Sequence, residues 1–102
     1  MEVYLLYKNR KKKIAEILLE KSVEYGIDIN AKQRFDCGAT AFHLACLDGN
    51  LVIVQIMIEM AESINLDLTA KCLGRTGFEF ALIMGHHEII HEIKSKIPVG
   101  KY

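Results

Sequence analysis

The chain has 102 residues, 51% hydrophobic and 25% charged, with Lys+Arg and Asp+Glu equal at 13 each. That length bounds it to one domain at most, and a net charge of zero supplies no global field to draw it towards nucleic acid. No apolar run reaches the roughly 18 residues of a membrane span, Met1-Glu2 and a following lysine cluster are unlike a secretory signal, and Cys37, Cys46 and Cys72 lack the paired spacing of a disulfide framework.

From the start of the chain, residues 2–9 predict a short helix. Val3, Tyr4, Leu5, Leu6 and Tyr7 follow one another there and wrap apolar surface around most of it. The basic run Lys8, Arg10, Lys11, Lys12 and Lys13 predicts a solvated turn. The sharper readings of that run are an import signal or a phosphate patch, but no aromatic residues are interleaved for base stacking. Ile14 to Tyr25 predicts a second helix with Ile14, Ile17, Leu18 and Val23 inward and Glu16, Glu20, Lys21 and Glu24 in water. Gly26 closes it as a left-handed cap. Ile27-Asp28-Ile29-Asn30 then enters a hairpin with its tip at Lys32 to Cys37.

The most informative stretch is Gly38 to Ile58, GATAFHLACLDGNLVIVQIMI. Thr40 has the side chain of an N-cap. Phe42 to Cys46 predict a short helix, Asp48-Gly49-Asn50 a turn, and Leu51 onwards a helix with Ile53, Val54, Ile56, Met57 and Met60 at helical spacing. Such a unit cannot bury its own apolar face, and it repeats. Thirty-six positions on, Gly38, Thr40, Phe42, Ala45 and Gly49 meet Gly74, Thr76, Phe78, Ala81 and Gly85. Thirty-nine positions back, Ile53 to Glu59 meets Ile14 to Glu20, and Leu66 to Lys71 meets Ile27 to Lys32. The last helix is predicted from about His87 to Lys96, where Lys94 replaces an inward apolar residue as the outer face of a terminal repeat requires.

Gly38, Thr40, Phe42, His43, Ala45, Gly49, Asn50, Ile53, Val54, Ile56 and Met57 together resemble the ankyrin repeat. Ala41 and Gly77 stand where that motif has proline, and Glu79 stands where it has histidine, although Thr76-Gly77-Phe78-Glu79 is itself a capping box. The surplus over the usual repeat length lies before Gly38, read as a longer hairpin, and between Ile53 and Thr69, read as an added helical turn. The resemblance implies an all-α solenoid of stacked helix–turn–helix units joined by β-hairpin-like loops. Its units are an incomplete repeat over 1–33, a second over 34–72 and a C-terminal one over 73–102. It also implies that His43 bonds to neighbouring hairpin backbone.

Function follows the same lines. His87-Glu88-Ile89-Ile90-His91 matches H-E-x-x-H, the pattern that sets two imidazoles and a general base on one helix face of a zinc peptidase. Lys94 and Ile97 occupy the places where the extended form has glycine and its third histidine, so zinc-dependent hydrolysis stands as the alternative reading. His43 and Cys46 could make a metal pair, but the repeat already employs the histidine. No cofactor motif is present.

The leading expectation is a non-catalytic, intracellular (cytoplasmic or nuclear) module that binds a protein partner, with no role at membranes or on nucleic acid. Another possibility is a fragment of a larger ankyrin scaffold. The resemblance implies that hairpin tips and the exposed side of each first helix form the binding surface. In this chain those positions are Arg34, Phe35, Asp36, Ala39, Leu47 and Asp48, then Cys72, Leu73, Arg75, Ile83 and Met84. Cys37 and Cys72, near the tips, are expected at the surface and Cys46 inside. The apolar first helix leads us to expect self-association through the N-terminal end.

Overall fold

A computed structural model describes residues 2–32 and 38–102, with side chains for 12–32 and 38–102. Its five helices are α1 (Glu2–Glu24), α2 (Ala41–Asp48), α3 (Leu51–Glu59), α4 (Gly77–Met84) and α5 (His87–Lys96). Helices α2 and α4 stack on each other as an inner layer, while α1, α3 and α5 stack as an outer one. The turns α2–α3 and α4–α5 fold each pair back on itself.

Local chemistry sets the limits of the inner helices. The Thr40 hydroxyl accepts from the His43 amide, and His43 Nδ1 accepts from the Thr40 amide at 3.1 Å. Thr76 and Glu79 repeat this reciprocal cap, with Thr76 N donating to Glu79 Oε1 at 3.1 Å. Each pairing satisfies two amides that a helix start leaves orphaned. Gly49 and Gly85 end the two helices at φ 73° and 71°, where a side chain would be strained.

The first repeat departs from expectation. Two helices joined by a basic turn were predicted, but α1 runs unbroken from Glu2 to Glu24. No glycine or proline interrupts residues 7–14, and lysine and arginine are good helix formers, so the basic run continues the helix. The inward face also differs. Ala15 and Ser22 are buried and Leu19 packs on the core, whereas Ile14, Ile17, Leu18 and Val23 are exposed. Small residues let α1 approach α3 closely, and the larger aliphatic residues are left outside.

After α3, residues 60–65 form a separate turn and not an extension of the helix. Its Ile64 amide reaches Met60 O, and Asn65 takes φ 53°. The hairpin finger expected before Gly38 falls on residues 33–37, outside those described. The core joins Phe42, Ala45, Cys46, Val54, Met57 and Ile58 to Ala81, Ile89 and Ile93. It therefore runs continuously from one repeat into the next. Gly77 permits this closeness, because a Cβ there would lie 2.7 Å from the Phe42 ring and 3.2 Å from Cys46 Sγ.

Candidate partner-binding face

The second hairpin is a two-residue turn. Cys72 and Arg75 exchange backbone hydrogen bonds at 2.9 and 3.0 Å, with Leu73 and Gly74 between them at φ 55° and 77°. Positive φ at both central positions is the mirror-image turn that suits the twist of paired strands, and it favours asparagine and glycine. Leucine pays for that conformation in strain, and here it is also 70% exposed.

His43 holds this tip to the preceding repeat. Its Nδ1 accepts from the Thr40 amide, so the ring proton sits on Nε2 and donates to the Arg75 carbonyl at 3.2 Å. The ring is buried, and Phe80 meets it edge-on at 5.8 Å between centroids. Both nitrogens are engaged, which leaves no lone pair for a metal shared with Cys46. Cys46 itself is fully buried, and desolvation pushes its thiol up to about 12 from 9.0. A thiol so rarely ionised is a poor ligand and a poor nucleophile.

Two more links join the repeats. His86 Nε2 lies 3.0 Å from the Leu47 carbonyl, with its ring over Gly49 where any Cβ would clash. Asn30 donates to Asn65 O at 2.7 Å and accepts from the Asp67 amide at 2.8 Å. The role of His86 was missed from the sequence, although it occupies the position after glycine that Asn50 holds one repeat earlier.

The expected binding residues divide into three groups. Leu47, Asp48, Leu73, Arg75, Ile83 and Met84 are exposed. Ala39 and Cys72 are buried at 5% and 4%, so neither offers side-chain surface, and the expectation of an exposed Cys72 is corrected. Cys72 stands in the backbone-bonded pair with Arg75 that closes its hairpin, and Ala39 immediately precedes the buried cap residue Thr40. Arg34, Phe35 and Asp36, with Cys37, lie outside the described residues. Leu47 and Ile83 occupy equivalent positions on stacked helices α2 and α4, next to Asp48 and Met84, and Leu82 adds a further exposed leucine unforeseen from the motif.

A family model for ankyrin repeats in three copies matches residues 4–99 of the sequence. The chain belongs to the ankyrin-repeat family. Comparisons with curated proteins and with solved structures return no match. Ankyrin repeats generally serve as protein–protein interaction modules, and the family is typically non-catalytic. No described helix of this ankyrin stack is both long and apolar enough to cross a membrane. His87, Glu88 and His91 are exposed on α5, opposite the buried Ile89 and Ile93. Among the described residues no group of three His, Cys, Asp or Glu side chains is placed to hold a metal ion.

Proposed function

We propose that this ankyrin stack is an intracellular, non-catalytic module that captures a partner protein on the exposed edge of α2 and α4 and on the hairpin tip. The observation that carries the reading is Leu73, a strained leucine 70% exposed on a tip that His43 fixes in place. Leu47, Ile83 and Met84 supply further exposed apolar surface, and Asp48 and Arg75 supply charge. An apolar centre with an arginine nearby has the composition of a binding hot spot. Arg34, Phe35 and Asp36 extend the proposed surface by their place in the repeat. Three cysteines without paired spacing suit a reducing compartment. The same reading divides the chain into repeats at 1–33, 34–72 and 73–102.

The test compares capture of partner proteins from lysate by the wild-type chain and by surface variants. Ile83→Ala, Met84→Ala and Arg75→Ala each weaken capture, by about 1–2 kcal/mol where they are hot spots, and leave the melting temperature nearly unchanged. Gln55→Ala and Glu59→Ala on the outer layer leave capture intact. If the outer-layer variants abolish capture and the others do not, the assignment of this face is wrong.

A further inference from the structure

Helix α1 covers 23 residues, a length of about 35 Å, and only one side of it meets α3. Ala15 and Ser22 lie on that side. Away from it, Ile14, Ile17 and Leu18 are 59%, 44% and 65% exposed, and Tyr25 beyond the helix end is exposed too. Spacings of three and four residues put Ile14, Ile17 and Leu18 on one stripe.

Charge is segregated along the same helix. Lys8, Arg10, Lys11, Lys12 and Lys13 precede the stripe, while Glu16, Glu20 and Glu24 run through and beyond it. Lys21 is already tied to Glu24 at 2.9 Å. A parallel neighbour of the same sequence would oppose like charges, and an antiparallel one opposes unlike charges. Head-to-tail stacking is a poor alternative, because α5 at the other end of the outer layer exposes His87, Glu88, His91, Lys94, Ser95 and Lys96. That polar surface does not match an aliphatic stripe. The chain's zero net charge sets no long-range repulsion between copies.

We infer that α1 is a two-fold self-association surface on which a second copy of this chain docks antiparallel through Ile14, Ile17 and Leu18, with Lys13 of each copy facing Glu20 of the other. An axis midway between residues 13 and 20 brings the three aliphatic residues of both copies into one seam. The interface is self-complementary, so it closes at two copies and does not propagate. One helix per copy buries an area at the low end of specific interfaces, and the dimer is accordingly weak and concentration-dependent. The surface belongs to the outer layer, and the inference does not rest on the partner face proposed for α2 and α4.

Sedimentation velocity on the full chain tests it, from low to high micromolar concentration at low ionic strength. The weight-average mass of the wild type rises towards that of a dimer. Leu18→Glu holds the chain monomeric with its melting temperature unchanged, since Leu18 supports nothing inside. Glu20→Lys weakens the dimer by about tenfold, because a favourable pair becomes a repulsive one at two symmetric places. The exchange Lys13→Glu/Glu20→Lys restores it. A strict monomer throughout, a dimer untouched by Leu18→Glu, a loss that the exchanged pair fails to rescue, or growth beyond two copies would each overturn the inference.

Discussion

The two positions where the family motif has proline illustrate how one residue answers to its surroundings. Ala41 opens α2 and is exposed, and Thr40 before it is extended at φ −94° and ψ 172°. A residue preceding proline adopts that conformation readily, and the first helical position tolerates the missing amide. Ala41→Pro should therefore stabilise the protein by about 0.4–1 kcal/mol, through loss of freedom in the unfolded chain. Gly77 opens α4 in the equivalent place, but its α-carbon faces the Phe42 ring. Gly77→Pro should destabilise by about 1–3 kcal/mol, the usual cost of forcing extra atoms into a packed core. Urea denaturation of the two variants beside the wild type reads both signs. A stabilised Gly77→Pro variant would show that the α2–α4 contact is looser than described.

Among the elements, the hairpin from Cys72 to Arg75 offers the sharpest test of strain. Asparagine tolerates positive φ better than leucine does. Leu73→Asn should raise stability by about 1 kcal/mol and, on the proposed function, weaken partner capture. A variant that gains stability and keeps full capture would locate binding elsewhere. The helices themselves were legible in the sequence wherever a cap announces them: Thr40, Gly49, Thr76 and Gly85 mark ends that the structure reproduces. Helix α1 carries no such punctuation between Tyr7 and Ile14, and the expected break there came from the repeat pattern alone. Its inward face was misjudged for a related reason. Aliphatic residues occupy more than one side, and periodicity does not say which side meets α3. The exposure of Leu47, Ile83 and Met84 was legible from their place in the repeat. The burial of Ala39 and Cys72 was not, because it depends on tertiary packing that their place in the repeat does not report.

In the molecule as a whole, each repeat is bonded to the next at backbone carbonyls. His43 reaches Arg75, His86 reaches Leu47, and Asn30 reaches Asn65. Together with the shared core, the two histidine links make α2 to α5 one cooperative block. Helix α1 adjoins that block along α3, through Ala15, Leu19 and Ser22. Amide hydrogen exchange should accordingly show α1 opening at a lower free energy than α3 and the α2–α4 pair. Equal protection in α1 and α3 would mean that the array unfolds as a single unit.

The unbroken course of α1 has a consequence for how long the protein survives. Lys8 to Lys13, the run of trypsin-type cleavage sites, belongs to the helix and not to an exposed turn, so a protease must wait for that helix to fray. Where opening and closing are fast relative to cleavage, the rate of nicking follows the small free energy of local opening and not the global stability. Nicking within Lys8 to Lys13 is then governed by the opening of α1, and anything that clasps α1 slows it while leaving the unfolding midpoint of the remaining repeats where it was.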